Sequence, residues 1–179
     1  GIHCLIHSSW LAEDEADMYD YSPDYADMIA EKGIFVDPTL ALGRLNQLRG
    51  RTRPRRAGAA MRDPVRRFEI LRDMWDRGVK FVTGMDSGMT NAHFNDFAYI
   101  PEVMVDELHI TPMEAIVSAT QISADCLGLL DEIGTLEEGK AADVLIINGN
   151  PAEDIKALHS VNTIVKQGEL IKQKNELLI

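Results

Sequence analysis

The chain has 179 residues, 45% of them apolar and 26% charged, and a formal net charge of -11. This suits one soluble globular domain with at most a small appendage, and the acidic balance argues against general nucleic-acid binding. No apolar run approaches the roughly 20 residues needed to cross a bilayer, and two lone cysteines, Cys4 and Cys126, exclude a disulfide framework, a zinc ribbon and a thioredoxin-type pair.

The sequence enters at once into Ile2-His3-Cys4-Leu5-Ile6-His7, a short apolar run closed by a Ser-Ser pair, and a buried strand is expected there. With no Met and no leader before it, the run reads as a chain met partway. Asp24 to Lys32 places Tyr25, Met28 and Ile29 on one helical face, with Gly33 to stop it. Gly33 to Pro38 follows as a second strand, ended by proline. Pro64 to Arg77 carries apolar residues at helical period (Val65, Phe68, Ile70, Leu71, Met74 and Trp75), and Gly78 closes it. Val79 to Gly84 is a third strand, leading into Met85-Asp86-Ser87-Gly88. Alternation of this kind predicts parallel strands with crossover helices.

Charge is unevenly spread. Residues 1–43 carry a net -8, residues 44–77 a net +7 from eleven arginines, and residues 78–179 a net -10. The arginines around Pro54 (Arg49, Arg51, Arg53, Arg55 and Arg56) fit either a clamp for phosphate or carboxylate or a solvated loop leading into a basic helix. The absence of interleaved aromatic residues leaves base stacking without support.

Thr111-Pro112-Met113-Glu114 is a capping box with proline in the first turn. The helix it opens is expected to run through Ile116, Val117 and Thr120 to Cys126, with Gly128 after it. Beyond that point the texture changes to short β-type runs at 133–136, 144–147 and 161–165, separated by turn residues such as Asn148-Gly149 and Gln167-Gly168. A boundary near Leu129 divides residues 1–128 from 129–179.

Parallel strand–helix units carry their functional groups at the C-terminal ends of the strands. His7 ends the first predicted strand and Asp86 the third. Imidazole and carboxylate are good ligands for a zinc-type ion, and an aspartate beside such an ion can take the proton of a hydrolytic water. Taken singly, a strand-end histidine is more often a hydrogen-bonded packing residue than a ligand, and a strand-end aspartate is often a cap for the next turn. Asp37, before Pro38, reads as a turn residue; His3 as filling beneath His7; His109 and His159 as structural. His93 lies in the loop after Asp86, where it can face a substrate or solvent.

Four segments resemble the metal-dependent amidohydrolases of the imidazolonepropionase-like and prolidase-like branch. Gly1 to His7 is similar to that family's sixth barrel strand, Gly33 to Leu40 to its seventh and Val82 to Gly88 to its eighth. Ile133 to Leu145 (Ile-Gly-Thr-Leu-Glu-Glu-Gly-Lys-Ala-Ala-Asp-Val-Leu), with Asn150-Pro151, is typical of its small β domain. The resemblance implies an α/β fold, the C-terminal portion (strands 6–8 and their helices) of a TIM (β/α)8 barrel plus strands of a small β-sandwich. It implies His7 and Asp86 as ligands of one or two divalent ions, expected to be zinc, with Asp86 also the proton shuttle. His93 and Arg55 are the expected substrate contacts. Ile6, Ser8 and Ile122-Ser123 depart from the family pattern. The first-strand His-x-His, the fourth-strand lysine or glutamate and the fifth-strand histidine have no candidate here.

The expectation is therefore an incomplete chain, inactive by itself, whose parent hydrolyses an amide, cyclic amide or dipeptide. A non-catalytic scaffold, a deaminase or a phosphotriester-type hydrolase on the same barrel are the alternatives. The expected partners are a small-molecule substrate and further copies of the full-length chain, with no nucleic acid and no membrane, and the location cytoplasmic by default.

Overall fold

A computed structural model describes residues 1–8, 10, 19–51, 64–174 and 176–178. Strand β1 (Cys4–Ile6) lies parallel to β2 (Phe35–Asp37), with Cys4 opposite Phe35 and Ile6 opposite Asp37. Between them runs α1 (Pro23–Glu31), where Pro23 and Asp24 suit the free donors of the first turn. Gly33 takes φ +61 just beyond its end, a conformation that costs glycine little.

The third predicted strand is reduced to a single parallel bridge, Val36 opposite Phe81. Val36 N–H donates to Lys80 O (3.0 Å) and Val82 N–H to Val36 O (2.9 Å). Past Val82 the partner changes from backbone to side chain, because Gly84 N–H donates to Asp37 Oδ1 at 3.2 Å. A carboxylate thus takes the place of the next ladder carbonyl, and regular pairing stops.

Helices α2 (Ala41–Leu48), α3 (Pro64–Asp76) and α4 (Tyr99–Leu108) cover these strands. The core between them contains Val36, Leu71, Met74, Phe81 and Leu108, all essentially inaccessible to water, each contributing about 1.5–3 kcal/mol by its burial. Trp75 meets Phe81 edge-on, ring centroids 5.8 Å apart.

The capping box forms as the sequence implies: Glu114 N–H donates to Thr111 Oγ1 (3.3 Å) and Thr111 N–H to Glu114 Oε2 (2.7 Å). The helix it opens is not continuous. α5 (Pro112–Val117) passes through a π-helical turn, Ser118–Ile122, into the short α6 (Ser123–Cys126). Hydroxyls explain the widened turn. Thr120 Oγ1 donates to Ile116 O and Ser123 Oγ to Ser118 O, so side chains compete with backbone donors for these two helix carbonyls, while buried Ser118 Oγ ties the turn to Phe81 O.

Strands β3 (Val144–Ile147), β4 (Val161–Lys166), β5 (Glu169–Gln173) and β6 (Glu176–Leu177) form one antiparallel sheet in that order. Gln167 and Gly168, both at positive φ, turn β4 into β5, the backbone sign that a two-residue hairpin requires. The run at 133–136, expected as a strand, is irregular. Gly134 sits at φ +93, so close to Ala124 that a Cβ there would lie 2.5 Å from the alanine Cβ. Lys140 Nζ donates to Leu130 O and to Thr135 Oγ1, holding the segment as a loop. A 3-10 turn, Ile155–His159, docks on α4: Ile155 joins the core, and His159 Nε2 lies 2.6 Å from Glu102 Oε2.

Of the arginines around Pro54, Arg49 and Arg51 are described, while Arg53, Arg55 and Arg56 lie outside the described residues. Arg44 pairs with Glu102, Asp106 and Glu107 of α4, Arg49 with Asp96, and Arg77 with Asp27 and Asp73. Arg44, Arg49 and Arg77 thus pair with acidic side chains of the fold, and Arg49 is neither an open anion clamp nor merely solvated. Among the described residues no helix is long and apolar enough to cross a membrane.

Candidate active site

Each parallel segment ends in a residue forced into the left-handed backbone region: His7 at φ +59, Thr39 at +46 and Asp86 at +51. Such conformations cost non-glycine residues on the order of 1–3 kcal/mol each and gather at functional sites. Here His7 meets both of the others. His7 Nδ1 lies 3.0 Å from Thr39 Oγ1, and His7 Nε2 lies 3.8 Å from Asp86 Oδ2. The His7 and Asp86 side chains are both 55% exposed, so they face each other across an opening to solvent.

Asp37 braces this arrangement from beneath. It is buried at 9% exposure. Its backbone carbonyl accepts from His7 N–H (2.8 Å), and its Oδ1 accepts from Thr39 N–H (2.9 Å) as well as from Gly84 N–H. Burial pushes its carboxyl above the ordinary range, while the N–H groups of Thr39 and Gly84 pull it back. Gly84 leaves no room to spare, since a Cβ there would fall 1.6 Å from Asp37 Oδ2. The turn expected at Asp37 is present in its bond to Thr39, but the bond to Gly84 makes it also a tie between strand ends.

The loop after Asp86 is pinned to α2. Arg49 Nη2 donates to both Asp96 oxygens at 2.8 Å and Nη1 to Asn91 O, while Asp96 Oδ2 accepts from His93 N–H at 2.7 Å. Burial works against ionisation of Asp96, but the Arg49 bonds and the His93 N–H hold its carboxyl below the usual range.

The structure thus brings His7 and Asp86 together. His93 is exposed in its loop, with Nε2 3.3 Å from Thr90 O. Arg55 lies outside the described residues. His3 is not interior filling: it is exposed, donates Nε2–H to Cys126 O over 2.7 Å and meets Phe35 edge-on. His109 is the left-handed cap of α4, and His159 packs on Tyr99 with ring centroids 4.5 Å apart. Thr39 and Gly84 were missed as site residues, although a Pro-Thr and a Thr-Gly at consecutive strand ends are visible in the sequence. Among the described residues no cluster of three or more His, Cys, Asp or Glu side chains has the spacing to hold an ion by itself.

An α/β framework with parallel strands, and an imidazole and a carboxylate meeting at their carboxyl ends, is the class that fold and site define together. The chain belongs to the amidohydrolase family, whose model matches residues 12–171. It is 31% identical over 129 residues to a 5-methylthioadenosine/S-adenosylhomocysteine deaminase of Caldanaerobacter subterraneus subsp. tengcongensis, covering 62% of this chain and 30% of that protein. It is 32% identical over 91 residues to an imidazolonepropionase of Thermoplasma volcanium, covering 51% of this chain and 22% of that one. Among solved structures, a Xaa-Pro dipeptidase with methionine bound in its active site superposes with a TM-score of 0.72 at 25% identity, covering 95% of this chain and 40% of that one. The chain therefore spans well under half the length of these relatives.

Proposed function

We propose that the full-length protein is a metal-dependent hydrolase of C–N bonds, acting on an amide, a cyclic amide or a dipeptide. On this reading residues 1–128 supply strands 6–8 of a barrel, and residues 129–179 supply strands of a small β domain. The observation that carries it is the facing pair His7 and Asp86, 3.8 Å apart at the ends of parallel segments.

The pair fits a divalent ion. Two donor atoms sharing a zinc ion at about 2.0–2.2 Å each lie no more than about 4.3 Å apart, and His7 Nε2 and Asp86 Oδ2 are within that limit. Both are acceptable zinc donors, and both are open to solvent. When bound, a divalent ion supplies Lewis acidity, lowering the pKa of water toward about 7 and polarising a carbonyl.

The chain's own residues then have distinct tasks. His7 presents Nε2 as a neutral donor, its other nitrogen being engaged by Thr39. Asp86 accepts the proton of the attacking water and passes it to the leaving nitrogen, which departs as a neutral amine or as ammonia. His93, on the loop after Asp86, is placed to meet the substrate, and the Arg49–Asp96 pair keeps that loop against α2.

In the full-length protein, Asp86→Asn is expected to lower turnover of a responsive dipeptide or cyclic amide by about 10²–10⁴-fold, the usual contribution of a general acid–base group, with metal largely retained. Wild-type rates in that variant would refute the role. The deaminase relative favours a second reading, hydrolytic loss of ammonia from an amino-substituted ring. Ammonia release from such a ring, with no cleavage of dipeptides or cyclic amides, would select it.

A further inference from the structure

We infer that Thr39 is a positioning residue that fixes the ring of His7 in the tautomer and orientation able to hold a divalent ion at Nε2. The inference rests on the metal-dependent reading above and names a residue that the ligand pattern itself does not include.

The backbone argument comes first. A β-branched residue at φ +46 is an outlier, disfavoured on steric grounds where glycine or asparagine would sit more easily. What threonine adds there is a hydroxyl, and that hydroxyl lies 3.0 Å from His7 Nδ1. Its place is set by the chain on both sides. Thr39 N–H is bonded to Asp37 Oδ1, the same oxygen that receives Gly84 N–H, and the Asp37 carbonyl receives His7 N–H. The His7 backbone and the Thr39 hydroxyl are thus referred to one buried residue, so the ring cannot drift relative to its partner without breaking that tie.

The chemistry follows from the two ring nitrogens. A neutral imidazole that offers one nitrogen to an ion carries its proton on the other, and an oxygen acceptor at that proton holds both tautomer and ring plane. The Thr39 hydroxyl, 3.0 Å from Nδ1, can donate or accept; acting as acceptor of an Nδ1 proton, it leaves Nε2, which faces Asp86 Oδ2, to the ion.

Three variants of the full-length protein test this. Thr39→Val keeps the branched shape and deletes the hydroxyl, Thr39→Gly deletes the hydroxyl and relieves the backbone, and Thr39→Ser keeps the hydroxyl. Zinc affinity is measured by competition with a chromophoric chelator, and the His7 tautomer in metal-free protein by nitrogen chemical shifts. Thr39→Val and Thr39→Gly are expected to bind zinc about 10–100-fold more weakly, the usual cost of losing such a partner, and to populate both tautomers. Thr39→Ser is expected to stay within about threefold of wild type and to keep the Nδ1–H form. A purely structural Thr39 would give a Gly variant that is more stable and binds zinc normally, and that result overturns the inference. So does an unchanged tautomer in both hydroxyl-free variants. If wild-type protein binds no zinc, the metal-dependent reading fails by itself, and the tautomer measurement still decides the role of Thr39.

Discussion

Replacing Gly84 by alanine inserts a single methyl group at the tightest point of the site. Its Cβ would lie 1.6 Å from Asp37 Oδ2, 2.5 Å from Cγ and 2.8 Å from Oδ1, and no relaxed structure tolerates such distances. Asp37 is buried and short, and its Oδ1 is tied to Thr39 N–H and Gly84 N–H, so it cannot swing aside as an exposed lysine would. Overpacking of this kind costs about 1–3 kcal/mol. Bonds to a carboxylate forfeited when it is displaced cost about 1.5–3 kcal/mol each. Because relief of the clash and loss of the bonds overlap, the expected destabilisation is about 3–5 kcal/mol. Urea and thermal unfolding of the full-length protein measure it. The double variant Gly84→Ala with Asp37→Ala removes the carboxylate that the methyl group strikes. It is expected to be less destabilised than the sum of the single variants by more than about 1 kcal/mol. A loss under about 1 kcal/mol for Gly84→Ala, or additivity in the cycle, would refute the packing argument.

The capping box gives a smaller effect: Thr111→Ala is expected to cost about 1 kcal/mol in denaturant unfolding, and Thr111→Ser to cost little. Asp96 gives a pH dependence. Its folded carboxyl is held below the unfolded value of about 3.9, so its contribution is present above that value and is lost as pH falls through the folded one. Stability measured across the acid range is expected to fall less steeply in Asp96→Asn, which is also weaker than wild type at neutral pH. An unchanged acid slope would remove Asp96 from that role.

Much of the helical layer was legible because its signals are local. Gly33, the period of Leu71 and Met74, and the Thr111–Glu114 box each act within a few residues. The strand-end positions of His7 and Asp86 were legible for the same reason, one closing an apolar run and the other opening a turn. What escaped is set by contacts remote in sequence. α2 contains Gly43 and Asn46, poor helix formers, and is held by buried Leu45 and by Arg44 bound to three acids of α4. α4 itself carries the helical period in Ile100, Val103, Met104 and Leu108, a local signal of the same kind. The interruption at Ser118–Ile122 depends on where three hydroxyls find carbonyls, and the loss of the strand at 133–136 on how closely Gly134 meets Ala124. Asp37 shows the limit most clearly: the sequence indicates a turn beside Pro38, but its second partner, Gly84, is 47 residues away.

The central claim, that His7 and Asp86 contribute to one divalent metal site, is tested most directly by elemental analysis of the purified full-length protein beside its His7→Ala variant. The account expects stoichiometric divalent metal in the wild type and a marked loss in the variant, with the fold retained. Equal metal content in the two proteins, or none in the wild type, would contradict it.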